Sequence, residues 1–195
     1  MRELIIRELE ESSNIKKMMA ENFSDIIADA AQIVINAFKA GGKMFLIGNG
    51  GSAADAQHIA AELVGRFKLE RTALPAIALT TDTSTLTALA NDYGYEAVFS
   101  RQLEALANEK DILIAITTSG TSPNILAAVK SAHSKGVTVI GLTGENGGKL
   151  KDVADLTIMV PSDDTARIQE AHITIGHIIC LLVEKELFGK SSSIS

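Results

Sequence analysis

A glycine-rich loop near residue 50 has the composition of an anion-binding turn. Its residues are Gly48, Asn49, Gly50, Gly51 and Ser52, and a helical pattern follows at once. Glycines permit positive φ and a close approach of the backbone, and the helix N-terminus offers unpaired N–H groups to an anion. A tight turn without a ligand is one alternative. A dinucleotide-binding loop is another, but no acidic residue ends the next apolar run, where Leu79, Thr80 and Thr81 stand.

A second loop is rich in hydroxyl groups and also precedes a helical pattern. Five hydroxyl residues surround one glycine: Thr117, Thr118, Ser119, Thr121 and Ser122. Hydroxyl and backbone donors at the positive end of a helix can surround a phosphate without Lys or Arg. A helix cap, with Ser122 as N-cap and Pro123 in the first helical position, is the alternative. Because capping leaves the other hydroxyls unexplained, the loop favours a phosphate site.

Two pairs of polar residues could supply acid–base groups. His58 and Glu62 are four residues apart and share one face of a helix whose other residues are largely apolar. Gln169 and His177 interrupt an apolar stretch near the C terminus, eight residues apart on nearly one helical face. A solvated pair on a helix surface and a buried or interface histidine are the respective structural alternatives.

The pair Asn91-Asp92 is followed by Tyr93-Gly94, and such a sequence can simply end a helix. His133 is interpreted as structural. Cys180, the single cysteine, is interpreted as a small apolar core residue that cannot form an intramolecular disulfide.

Five short apolar runs predict the strands that position these loops. They lie at residues 43–48, Leu74–Leu79, Asp111–Thr117, Val137–Leu142 and Asp155–Val160. Helical patterns separate them, which predicts an α/β fold with a parallel sheet. Ligands of such a sheet bind beyond the carboxyl ends of its strands, where both loops lie.

The helical patterns account for the rest of one domain, residues 1–188. Two helices are expected within residues 1–40, and residues 189–195 are expected to be a flexible tail. The other predicted helices are Ser52–Val64, Thr83–Ala90, Glu96–Ala107, Ser122–Ser134, a short turn at Gly148–Val153 and a long last helix, Thr165–Leu187.

Composition narrows the possible partners. The 195 residues are 46% hydrophobic, with a formal charge of −6. An acidic chain offers no basic face to a phosphate backbone, and 4% aromatic content without Trp gives no stacking platform, so nucleic acid is not expected. The apolar runs are too short to span a membrane, and no export signal is evident, so a cytoplasmic protein is expected.

Taken together, these motifs resemble the phosphoheptose isomerases of the sugar-isomerase (SIS) domain superfamily. The likeness covers nearly the whole chain, and the motifs occur in the family's order. It rests on Gly48–Ser52, His58 with Glu62, Asn91-Asp92, Thr117–Ser122, and Ala166–Glu170 with His177.

The resemblance implies a three-layer α/β/α flavodoxin-like SIS fold with five parallel strands and long terminal helices. It also implies a homotetramer with its sites at subunit contacts. The implied reaction converts sedoheptulose 7-phosphate to D-glycero-D-manno-heptose 7-phosphate through an enediol. This is the first step towards nucleotide-activated heptose for lipopolysaccharide and other surface polysaccharides.

The resemblance also implies the site residues. Glu62 and His177 match the acid–base pair. The matching zinc ligands are His58, Glu62, Gln169 and His177, for one ion per subunit. The matching substrate contacts are Asn49, Gly50, Gly51, Ser52, Glu62, Asn91, Asp92, Thr117, Thr118, Ser119, Ser122 and Gln169. No role is implied for Asp163 or Asp164.

A different function of the same fold is the alternative: a non-enzymatic tetramer that binds the bacterial replication initiator. Such a protein would need no acid–base residues. The presence of Glu62, His177, His58, Gln169 and Asp92 therefore favours the enzyme.

Overall fold

The computed structural model describes residues 1–189, which form a five-stranded parallel sheet between helices. The strands are β1 (Met44–Gly48), β2 (Ala76–Ala78), β3 (Ile112–Ile116), β4 (Thr138–Thr143) and β5 (Leu156–Met159). The helices are α1 (Arg2–Asn22), α2 (Ser24–Lys39), α3 (Gly51–Val64), α4 (Thr83–Tyr93), α5 (Ser100–Leu106), α6 (Pro123–Ser134), α7 (Leu150–Val153) and α8 (Thr165–Phe188).

The strand order is β2-β1-β3-β4-β5, the order of flavodoxin-like sheets. β1 lies beside β3 over its whole length, with Met44 opposite Ile112 and Gly48 opposite Ile116. The chain leaves β1 towards one edge of the sheet and β3 towards the other. The loops after these two strands therefore diverge, and the crevice between them is where such sheets bind ligands. The predicted fold class is confirmed.

Two apolar cores cover the two faces of the sheet, because successive strand residues point to opposite sides. Leu46, Ile114 and Ile140 face a core built with α2, α3 and α8. Phe45 and Leu113 face the other core, built with α5, α6 and α7. The sheet thus forms the middle of three layers.

The predicted elements agree with the structure except at their ends. The predicted strand at Leu74–Leu79 is only three residues long, Ala76–Ala78, since Pro75 has no backbone N–H for pairing. The predicted helix at Glu96–Ala107 opens as a 3-10 turn, Tyr95–Ala97, after Gly94 at φ +85°. The regular helix α5 begins only at Ser100. The expected tail, apart from Gly189, lies outside the described residues.

Side chains cap and join the elements that carry the loops. Asp164, for which the sequence suggested no role, caps α8 by accepting from the N–H groups of Ala166 and Arg167. At the amino edge of the sheet, Lys43 lies 2.8 Å from the buried carboxylate of Asp111 and joins β1 to β3. Within residues 1–189, no helix combines the length and apolar character that crossing a membrane requires.

Candidate active site

The glycine loop turns the chain directly from β1 into α3 at the crevice. Gly50 has φ +54°, a conformation that side chains rarely adopt, and α3 starts at Gly51. A Cβ atom on Gly51 would collide with the side-chain amide of Gln169 in its present position, so the amide packs directly on this glycine. Ser52 is buried in the first turn of α3. The structure thus brings Gln169 of α8 onto the glycine loop, where it can contact a ligand.

The hydroxyls of the second loop converge as a phosphate site requires. Thr117 Oγ1 lies 3.2 Å from Ser122 Oγ and 3.4 Å from Ser119 Oγ. Ser122 occupies the N-cap position of α6, yet among the described residues its hydroxyl makes no capping bond. Thr118 and Ser119 also border a cavity of about 290 Å³. The capping alternative therefore explains the position of Ser122 but not the direction of its hydroxyl.

A bridge of two amides joins the two loops. Asn49 donates to Asn124 Oδ1 at 3.0 Å, and Asn124 donates back to Asn49 Oδ1 at 2.8 Å. The phenol of Tyr95 donates to the same Asn49 oxygen at 3.0 Å. No local sequence pattern marks Asn124 or Tyr95, because both contacts join distant parts of the chain.

Asn91 and Asp92 lie in the last turn of α4 and are exposed. Asn91 donates to Asp92 Oδ1 at 2.8 Å, and α4 ends one residue later at Tyr93. The pair thus stands at a helix end, and its predicted contact with the substrate stays a prediction. Tyr95, three residues after Asp92, contacts Asn49 and so brings this segment to the rim of the glycine loop.

Three side chains of α3 and α8 form an acid–base cluster, namely His58, Glu62 and His177. His58 Nε2 lies 3.1 Å from Glu62 Oε1 and 3.2 Å from His177 Nε2. The two imidazole rings meet edge to face with centroids 4.9 Å apart. The Glu62 side chain is 23% exposed, so it is sheltered but reachable. The predicted pair of acid–base residues is thus brought together by two helices more than one hundred residues apart in the chain.

The same cluster fits a divalent metal ion. One ligand atom from each of His58, Glu62 and His177 lies within 4.8 Å of the other two. Two imidazole nitrogens and one carboxylate oxygen form a three-ligand set of the kind found in catalytic zinc sites. The amide of Gln169 packs on Gly51, two turns before His58 on α3, and its role as a fourth ligand stays a prediction.

Asp55, which the sequence did not single out, lies one turn before His58 on α3. Burial raises the pKa of its carboxyl group, while the nearby His58 lowers it by a smaller amount. Its Oδ2 atom is buried and finds no hydrogen-bond partner among the described residues. A carboxyl group with a raised pKa therefore stands between the glycine loop and the cluster.

The arrangement suits a phosphorylated ligand whose other end undergoes proton transfer. The phosphate-type loops lie at the carboxyl edge of the sheet, where α3 begins. His58 and Glu62 lie two to three turns further along the same helix. A ligand held by its anionic end would thus extend towards a carboxylate and two imidazoles.

Comparisons with known proteins agree with this geometry. The family model described as "SIS domain" matches residues 9–144. The phosphoheptose isomerase of Aquifex aeolicus is 57% identical, over 93% of this chain and 95% of that protein.

Solved structures give the same result. The phosphoheptose isomerase of Francisella tularensis superposes with a TM-score of 0.91 at 43% identity, covering 94% of this chain and 97% of that one. The corresponding enzyme of Neisseria gonorrhoeae has a TM-score of 0.90 at 42% identity, covering 94% and 98%. The chain therefore belongs to the SIS domain family and, within it, to the phosphoheptose isomerases.

Proposed function

We propose that the protein interconverts sedoheptulose 7-phosphate and D-glycero-D-manno-heptose 7-phosphate, the first step towards nucleotide-activated heptose. The observation that carries this proposal is the approach of Glu62 and His177 to His58, on helices that also border the phosphate-type loops. Aldose–ketose isomerisation needs such a pair, since one group must remove a proton from carbon and another must serve the oxygens.

Glu62 is the base in this mechanism. Its carboxylate removes a proton from C1 of the ketose, and the electron pair forms the C1–C2 double bond of an enediol while the C2 carbonyl oxygen takes a proton. Return of a proton to C2 and loss of the O1 proton then give the aldose. His177 serves the two oxygens, because an imidazole can act as both a proton donor and a proton acceptor.

The two loops contribute binding energy at a distance from the reacting carbons. Thr117, Ser119 and Ser122 present hydroxyls to the phosphate, and the N-terminus of α6 adds the positive end of a helix dipole. Holding the phosphate aligns C1 and C2 with the acid–base pair, so remote binding energy lowers the barrier to proton transfer.

We infer that a zinc ion binds at His58, Glu62 and His177, whose ligand atoms lie within 4.8 Å of one another. A bound zinc ion supplies a Lewis acid that polarises a carbonyl or hydroxyl oxygen. The family resemblance implies Gln169 as a fourth ligand. The contact of its amide with Gly51 supports a role in substrate binding instead.

A homotetramer is part of the same proposal. Leu4, Ile5 and Leu9 leave more than half of their surface exposed on α1. An apolar groove of about 220 Å³ also opens between α1, α2 and α8, which suits burial against a second copy. The chain's own α1, α2 and α3 already pack on α8, so the apolar face of α8 alone does not require a partner. Sedimentation equilibrium giving only the monomer mass would contradict the assembly.

The replication-initiator alternative predicts a different use of the fold. A binding protein gains nothing from a carboxylate and two imidazoles arranged within 4.8 Å. The high identity to phosphoheptose isomerases over nearly the whole chain also favours the enzyme.

The test is turnover of a panel of ketose phosphates by the purified protein, followed by proton NMR of the aldose product. Sedoheptulose 7-phosphate should be converted faster than fructose 6-phosphate or ribulose 5-phosphate. Failure to convert any member of the panel, by protein that is folded and supplied with zinc, would contradict the proposed function.

A further inference from the structure

Arg71 and Glu184 form a buried ion pair beside the acid–base cluster. Arg71 Nε lies 3.0 Å from Glu184 Oε1, and the two side chains are only 1% and 0% exposed. Arg71 belongs to the segment that follows α3, whereas Glu184 lies on α8. Buried charges destabilise a protein unless they are paired and hydrogen-bonded, and both of these side chains are paired and bonded.

The Glu184 carboxylate accepts hydrogen bonds from the backbone of the turn that follows α3. Its Oε1 atom accepts from the N–H of Phe67 at 2.8 Å. Its Oε2 atom accepts from the N–H groups of Lys68 and Leu69 at 2.8 and 3.0 Å. Charge-assisted bonds of this kind are short and strong. Three consecutive backbone amides are thereby fixed to one position on α8.

The Arg71 guanidinium holds the end of α3. Its Nη1 atom donates to the Leu63 carbonyl at 2.7 Å, and its Nη2 atom donates to the Glu62 carbonyl at 2.9 Å. Carbonyls in the last turn of a helix have no partner within the helix, and a cation there also complements the helix dipole. Arg71 is therefore bonded directly to the backbone of the proposed base.

Phe67 connects the same turn to the other proposed acid–base residue. Its ring stacks on the imidazole of His177, with centroids 5.4 Å apart and planes 24° apart. Glu184 holds the backbone of Phe67 and lies two turns after His177 on α8. One carboxylate thus fixes both the aromatic ring and the helix that carries its imidazole partner.

We propose that Arg71 and Glu184 are positioning residues that hold Glu62 of α3 and His177 of α8 at the separation needed for proton transfer. Phe67 is the contact through which the pair acts on His177. This inference rests on the proposed function, which assigns Glu62 and His177 as the acid–base pair. The phosphate-type loops lie at the other end of α3, so loss of the ion pair should lower kcat and leave KM nearly unchanged.

Steady-state kinetics of Glu184→Gln and Arg71→Lys test the proposal. Glutamine presents an amide N–H to backbone donors that need an acceptor, and lysine cannot bond the carboxylate and two carbonyls at once. Each variant should lose about 10-fold to 100-fold in kcat, the effect of a small misplacement of reacting groups. KM should stay within about twofold of the wild-type value.

Asp111→Asn is the matched control. Asp111 is also a fully buried carboxylate in an ion pair, with Lys43, but it lies at the amino edge of the sheet, away from the cluster. Asp111→Asn and Glu184→Gln should both lower the melting temperature. Only Glu184→Gln should lower kcat when all proteins are assayed well below their melting temperatures. Wild-type kcat in Glu184→Gln, or an equal loss in Asp111→Asn, would overturn the positioning role.

Phe67→Leu decides the question if Glu184→Gln does not fold, since it leaves the ion pair intact. We expect a lower kcat at unchanged KM, and wild-type kcat would contradict the proposal.

A second readout needs no turnover and separates this inference from the proposed function. The imidazole resonances of His177 in a proton–nitrogen correlation spectrum should move in Arg71→Lys and stay in place in Asp111→Asn. Unmoved resonances in Arg71→Lys would overturn the inference even in an active enzyme. An inactive wild-type protein would instead overturn the proposed function.

Discussion

Asn49 and Asn124 exchange two side-chain hydrogen bonds, of 3.0 and 2.8 Å, across the crevice where the strand order reverses. Asn49 follows β1, and Asn124 stands in the first turn of α6 after the hydroxyl loop. The two loops are therefore fixed to each other before any substrate binds. A site organised in this way avoids part of the entropy cost of ordering loops around a ligand.

Ser119→Ala should weaken the binding of substrate and of inorganic phosphate together. One hydrogen bond to a charged group contributes about 1–2 kcal/mol, which corresponds to roughly a tenfold change in Kd. Titration calorimetry with both ligands measures the effect. Ser134→Ala, which removes a hydroxyl at the far end of α6, is the control. An unchanged phosphate affinity in Ser119→Ala would show that Ser119 does not contact the phosphate.

Tyr95→Phe should raise KM for the sugar phosphate by a few fold. The phenol donates to Asn49 Oδ1, so its loss frees one side of the glycine loop at a cost of about 0.5–1 kcal/mol. Tyr93 is equally exposed, at 60%, and Tyr93→Phe is therefore the matched control in the same kinetic assay. Equal KM values for the two variants would show that the Tyr95 hydroxyl does not contribute to substrate binding.

Stability should depend on pH through His172, which is fully buried on α8 and donates from Nε2 to the Thr143 carbonyl at 3.2 Å. Burial lowers the pKa of His172 from 6.5 to about 4, despite the opposing hydrogen bond to Thr143. As the pH falls, His172 is therefore protonated in the unfolded chain at a higher pH than in the folded protein. The free energy of unfolding therefore keeps its full value above pH 6.5 and falls progressively as the pH drops towards 4. The total loss due to His172 is at most about 3 kcal/mol.

Urea unfolding at a series of pH values measures this effect of His172. His172→Gln should unfold with a shallower pH dependence between pH 6.5 and 4 than the wild type. Identical slopes in the two proteins would show that His172 does not titrate on unfolding.

Removal of metal with a chelator should lower the melting temperature and the activity, and added zinc should restore both. The reason is that a ligand bound to the folded state alone stabilises that state. Elemental analysis before and after treatment gives the metal content. His58→Gln should bind less zinc, whereas His133→Gln should bind as much as the wild type. The zinc site would be contradicted if the native protein contained no metal and added zinc did not change its melting temperature. His58, Glu62 and His177 would then be acid–base groups only.

Sequence patterns predicted the sheet, the two loops and the His58–Glu62 pair because each is a local property of spacing or composition. The contacts that complete the site join residues far apart in the chain. Asn49 meets Asn124, and Arg71 meets Glu184, across 75 and 113 residues. No local pattern marks such pairs, since each residue alone resembles an ordinary loop or helix residue.

The predicted zinc ligands on α8 also show how little helical spacing says about the position of a side chain. Gln169 and His177 share a helical face by spacing, yet the structure sends the amide of Gln169 to Gly51 and the imidazole of His177 to His58. The amide of Gln169 occupies the space that a side chain at position 51 would take. A glycine's effect on a distant residue emerges only from the packed structure.

The turnover of sedoheptulose 7-phosphate by Glu62→Gln, relative to the wild type, tests the central claim most directly. Glutamine keeps the size of the side chain but cannot accept a proton from carbon, so the rate should fall by about 100-fold to 10,000-fold. Substrate binding, measured by calorimetry, should persist because the phosphate loops remain intact. Turnover by Glu62→Gln at the wild-type rate would contradict the assignment of Glu62 as the base.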